Sequence, residues 1–136
     1  MRLLQICLIV LVRWFYNMCF EDGVVYYFRP CRASVPTKDK YALCVCAKQG
    51  WFYLINSCTA DRPWEHEKGH VLYLQPFQTE PLKHKSYINT KKLVSIGPND
   101  YDTCRKYVKV SQMVWLDLKK LCYRTLPPYK AKEIFG

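Results

Sequence analysis

Acidic side chains are scarce in this chain: 11 Asp and Glu stand against 21 Lys and Arg, a formal net charge of +10. That balance favours a nucleic acid, a membrane surface or an acidic protein as partner, with general solubility as the plain alternative. Glycine is scarce too, at five residues. None are grouped into a phosphate-cradling loop, and no nucleophile elbow is present, which removes several large enzyme classes. An apolar run long enough to span a bilayer is missing as well. The stretch from Leu3 to Val12 is half of the roughly 20 residues a span requires. There is no internal repeat and no low-complexity segment.

What is there is enough to fold. A chain of 136 residues, half of them hydrophobic and 15% aromatic, makes one domain with a real core and excludes a disordered chain. The eight cysteines, at 7, 19, 31, 44, 46, 58, 104 and 122, are too widely spaced for a small disulfide scaffold. Cys44 and Cys46, two apart on a strand, are expected to share a face and so to bond poorly with each other. Buried free thiols in a reducing, cytoplasmic setting are the expected state. A secreted or membrane-anchored, disulfide-linked basic protein is the competing reading.

Residues 1–17 form a hydrophobic N-terminal segment. Arg2 followed by the apolar run resembles a signal-peptide core, but Arg13 closes it and no small-residue cleavage site follows. The segment is read either as a misassigned start, with translation beginning at Met18, or as a signal or membrane anchor. The domain proper is placed at residues 18–126, with 127–136 as a C-terminal tail.

Within the domain the pattern is mostly β with one or two helices. Val24 to Phe28 and Tyr41 to Cys46 read as buried strands, and Trp51 to Ile55 follows the Lys48-Gln49-Gly50 turn as the second arm of a hairpin. His70 to Leu74, Ser86 to Thr90 and Leu93 to Ile96 are further short strands. Ser111 can cap a helix from Gln112 to Arg124 whose apolar stripe is Met113, Val114, Leu116, Leu118 and Leu121. Leu126-Pro127-Pro128 stops it.

Two stretches are similar to metal motifs. His66-Glu67-Lys68-Gly69-His70 fits H-E-x-x-H, but Gly69 weakens a helix and His70 opens a strand, so both histidines on one helical face are not expected. Cys44, Cys46 and Cys58 with a histidine lack the C-x₂₋₄-C knuckle of zinc sites. No metal or other cofactor is expected.

The segment between the first two strands, Arg29 to Lys40, carries four cations, two hydroxyls and two prolines. A sheet presenting such a loop suits a polyanion. Lys83, His84, Lys85, Lys91 and Lys92 can extend a phosphate track beside it. Trp51, Phe52 and Tyr53 alternate faces, so one face can fill the core while the other stacks an unpaired base.

The order of these pieces resembles the MazF/PemK (Kid) toxin endoribonucleases. Gly23-Val24-Val25-Tyr26 is similar to the family's opening strand. Pro30, Ala33-Ser34 and Lys40-Tyr41 are similar to its loop elements, Ile55-Asn56-Ser57 to its strand ending in Thr or Ser, and Ser86-Tyr87-Ile88 to its later Ser-x-hydrophobic segment. The resemblance covers roughly Glu21 to Tyr123. It implies a small SH3-like barrel with a C-terminal helix, a homodimer, an antitoxin partner, and metal-free cleavage of single-stranded RNA. By the same resemblance Lys40 and Ser57 are the catalytic candidates; Arg29, Arg32, Ser34 and Lys38 of the basic segment, with Lys83 and Lys85 of the phosphate track, are the RNA-binding ones. Lys40 stands where the family has arginine, which keeps charge but loses bidentate phosphate geometry. A non-catalytic module of the same fold, a degenerate toxin or a gyrase poison, is therefore the first rival.

Overall fold

The computed structural model describes residues 20–58, 69–75 and 84–136. Strands β1 (Val24–Cys31), β2 (Lys38–Cys46), β3 (Trp51–Ser57), β4 (Val71–Leu74), β5 (Ser86–Ser95) and β6 (Cys104–Lys109) are followed by helices α1 (Gln112–Thr125) and α2 (Pro128–Phe135). They form one antiparallel sheet in the order β4-β5-β3-β2-β1-β6. The mostly-β fold with a C-terminal helix is as expected. Among the described residues the sheet is not closed into a barrel: β4 and β6 are its two edges.

The central strands are aromatic and β-branched because both of their faces are buried. Val25, Leu43, Val45, Tyr53, Ile55 and Ile88 face the helices, where they meet Val114, Leu118, Cys122 and Ile134. Val24, Tyr26, Phe28, Ala42, Cys44 and Phe52 fill the opposite face, under Phe20 and Ile96. Phe20 packs edge-on against Tyr26 and Phe52, with centroids 5.1 and 5.0 Å away. Such T-shaped pairs add attraction beyond the area they bury. Phe52 and Tyr53 do alternate faces, but both are fully buried and neither is available to stack a base. Half-buried Trp51 lies 5.8 Å from the Lys130 ammonium.

The expected β2–β3 hairpin is present, paired from Tyr41↔Ile55 to Cys46↔Trp51. Its turn needs glycine: Gly50 adopts φ +71° while its amide donates to the Ala47 carbonyl at 3.2 Å. A bulge between Cys44 and Cys46 overturns the shared face expected for that pair. The inserted residue breaks the two-residue alternation, so Cys44 joins one core and Cys46 the other. The described cysteines are present as thiols.

The two short strands read after Lys85 are one bent strand. Between its pairings Ile55↔Ile88 and Tyr53↔Leu93, β5 spends five residues where β3 spends two. Asn89 folds its side chain back to accept from the Lys91 amide at 3.1 Å, which stabilises the bend locally.

In α1 the Ser111 hydroxyl caps the Val114 amide at 3.2 Å, as the sequence indicates. The buried stripe is Val114, Leu118 and Cys122, at steps of four, while Met113 and Leu116 are exposed. Leu121 is half-buried against the core. The tail expected over 127–136 is instead α2, opened by Pro128 at its first turn and anchored by buried Ala131 and Ile134. No helix among the described residues is long and apolar enough to cross a membrane.

Tyr53 ties these layers together. Its hydroxyl donates to the Thr90 carbonyl at 2.9 Å and lies 3.3 Å from the Cys122 sulfur. The Thr90 hydroxyl donates to the His70 carbonyl at the entry to β4. Thr125, in the last turn of α1, reaches Leu121 O at 2.9 Å and Thr90 Oγ1 at 3.1 Å.

Candidate nucleic-acid interface

The basic segment after β1 is less of a loop than its composition indicates. Both arms are strand, with β1 running to Cys31 and β2 starting at Lys38, so only six residues, Arg32 to Thr37, connect them. A bulge between Phe28 and Cys31 turns the buried Cys31 side chain into the core. The Ser34 amide donates back to the Cys31 carbonyl at 3.3 Å, folding the turn over the sheet.

Strand parity then sorts the charges. Lys38 and Lys40 share one face, and Asp39, between them, points to the other. There its carboxylate lies 3.7 Å from Arg29 Nε. The cationic side is left without its neighbouring acid.

On that side lies a cleft of about 340 Å³ whose rim carries Lys38, Lys40, Lys92, Asn56, Asn89 and Ser34. Its apolar lining comes from Leu54, Val94, Tyr87, Ala33 and Val35. No carboxylate lines it among the described residues. Lys40 is half-buried and donates to Asn56 Oδ1 from the neighbouring strand. Burial lowers the Lys40 pKa from its ordinary value, and the adjacent Lys38 charge lowers it further. The bend in β5 supplies Asn89 and Lys92 to the opposite wall.

Of the residues singled out in the sequence, Ser34, Lys38 and Lys40 come together here, with Ser34 buried. Ser57 does not join them. It is exposed, pairs with Ser86 and lies on the Ile55 face of β3, opposite to Asn56. Asn56 takes the place beside Lys40 that was expected of Ser57. Arg29 also lies on the far face, and exposed Arg32 sits 3.7 Å from the buried Asp100 carboxylate. Lys85 lies over the Tyr73 ring at 4.5 Å. Lys83 is outside the described residues, as are His66 and Glu67 of the H-E-x-x-H match. His70 uses its carbonyl in the Thr90 network. No group of residues that could hold a metal ion occurs among the described residues.

Asn56 and Asn89 are the cleft residues that the sequence reading missed. The signal for Asn56 was parity: it is in step with Leu54 and faces Lys40 across a regular hairpin ladder. Asn89 had no such signal, because its direction depends on the bend. No protein-family model matches this chain, and no curated protein is significantly similar to it.

Proposed function

We propose that the lysine cleft binds single-stranded RNA and that the protein is a metal-independent endoribonuclease of the MazF/PemK type. The observation that carries the reading is three lysines lining one cleft that no carboxylate lines among the described residues. Lysines supply the phosphate attraction, the two asparagines can hydrogen-bond base edges, and the cleft is open to an unpaired strand.

Cleavage places Lys40 beside the scissile phosphate. In its neutral form the amine takes the proton of the ribose 2′-OH, whose oxygen attacks phosphorus. As the bond to the 5′ oxygen breaks, the same amine returns the proton to that leaving oxygen, giving a 2′,3′-cyclic phosphate and a 5′-hydroxyl. Burial and the Lys38 charge increase the neutral fraction of Lys40 that makes the first transfer, while its cationic fraction binds phosphate. Lys38 and Lys92 offset the charge that builds on the phosphorane. A toxin role with a homodimer and an antitoxin partner belongs to the same proposal.

A second reading, RNA binding without cleavage, is favoured by the position of Ser57 on the other face, which leaves Lys40 without the hydroxyl partner the family resemblance implies. One assay separates the two. The full chain is incubated in EDTA with end-labelled, mixed-sequence single-stranded RNA, and both retention and product ends are read. Cyclic-phosphate products that vanish in Lys40→Ala support the enzyme. Retention without products leaves the binding module, and neither retention nor products refutes both.

A further inference from the structure

At the same end of β1, on the opposite face from the lysine cleft, lies a second groove of about 360 Å³. It runs between β1 and β6 and is lined by Tyr27, Arg29, Thr103, Cys104, Arg105 and Tyr107. Neither helix covers it among the described residues, because α1 packs on β4 and β5 and α2 on β2.

Three tyrosines form one aromatic cluster here. Tyr27 and Tyr41 lie 4.7 Å apart between centroids, Tyr41 and Tyr107 5.5 Å, and Tyr27 and Tyr107 6.2 Å. Tyr107 is 42% exposed on the edge strand, so part of an aromatic surface faces solvent. Arg29 and Arg105 stand beside it, both exposed. Tyr27 and Arg105 are register partners on neighbouring strands, and both line the groove. Core packing requires neither arginine.

We propose that this groove binds a nucleotide unit, with the phosphate on Arg105 beside Arg29, whose guanidinium also lies 3.7 Å from the Asp39 carboxylate, and the base stacked against the exposed tyrosine surface. A guanidinium grips phosphate through paired N–H donors, and an exposed phenol ring offers a flat apolar face to any base. The unit can come from a free mononucleotide or from an RNA strand, and the chemistry is common to both. The groove shares no residue with the lysine cleft, so it stands whether or not that cleft cuts RNA.

The test is calorimetric titration of the full chain with adenosine 5′-monophosphate, with inorganic phosphate, and with an unstructured octaribonucleotide. Arg105→Ala and Tyr107→Leu are compared with Lys48→Ala, a surface cation in the β2–β3 turn. Loss of stacking or of a charged hydrogen bond is expected to weaken binding of the mononucleotide or the octamer by about tenfold. Tyr107→Phe should restore it, since the ring is retained. Binding weakened for both ligands, or for the mononucleotide alone, assigns a free-nucleotide site, whereas an effect confined to the octamer assigns a strand contact. Three results overturn the proposal: both groove variants bind all ligands like the wild type, phosphate alone binds as tightly as the mononucleotide, or Lys48→Ala loses as much as Arg105→Ala.

Discussion

Replacing Tyr53 with phenylalanine tests the joint that holds β3, β5 and α1 in place behind the lysine cleft. The ring is fully buried, so the substitution removes one oxygen and leaves the apolar packing intact. It deletes the 2.9 Å bond to the Thr90 carbonyl and the 3.3 Å contact with Cys122. The carbonyl is then left with the Thr125 hydroxyl at 3.4 Å, whose single proton lies closer to Leu121 O, at 2.9 Å. A net hydrogen bond is worth about 1 kcal/mol, and a buried carbonyl left largely unsatisfied adds a similar amount. Tyr53→Phe should therefore cost about 2 kcal/mol. At roughly 4 °C per kcal/mol for a domain of this size, the melting temperature falls by about 8 °C. Thermal melts followed by circular dichroism, with urea titrations for the free energy, measure both. A phenylalanine variant that melts within about 1 °C of the wild type would refute the reasoning.

Two further outcomes follow from the same structure. Burial raises the pKa values of Cys31, Cys44, Cys46 and Cys122 from 9.0, with Cys122 pushed up to about 11. Below pH 9 both folded and unfolded states keep these protons and the full stability is present. As pH climbs through 9 toward the raised folded values, the unfolded chain ionises first and stability falls, which urea midpoints at pH 7, 9 and 10 will register. Ser111→Ala removes the cap from the Val114 amide and should destabilise the domain by about 1 kcal/mol, read from the same midpoints.

The sequence made the middle of the sheet legible and its edges and bends obscure. Val24 to Phe28, Tyr41 to Cys46 and Trp51 to Ile55 are dense in β-branched and aromatic residues because both faces are buried, and a tight turn with Gly50 joins the latter pair. β6 gave no comparable signal. Its Arg105, Lys106 and Lys109 belong to an edge strand, where charge discourages edge-to-edge pairing and interrupts any apolar run. Strand parity failed where a bulge intervened, between Phe28 and Cys31, between Cys44 and Cys46, and along β5. In α1 the apolar pattern is wider than the buried stripe, because Met113 and Leu116 are apolar but exposed. The cleft followed the same division. Lys38 and Lys40 were visible in a basic segment, while the contribution of Asn89 depends on a bend that no local pattern encodes. Ser57 stands at the chain position the resemblance indicates, but it lies on the Ile55 face of β3, away from Lys40.

In the proposed binding mode Lys38, Lys40 and Lys92 together hold the phosphates of a single strand. Each phosphate neutralised on a single strand contributes about −0.7 to the slope of log affinity against log salt, so the three lysines account for a slope of about −2. Between about 50 and about 200 mM salt, that share weakens binding roughly 20-fold. The direct measurement is the affinity of the full chain for a labelled unstructured RNA across that range, beside the triple variant with alanine at all three positions. The expected result is a variant that binds more weakly at low salt and whose slope is shallower by about 2. A triple variant with the affinity and slope of the wild type would contradict the account.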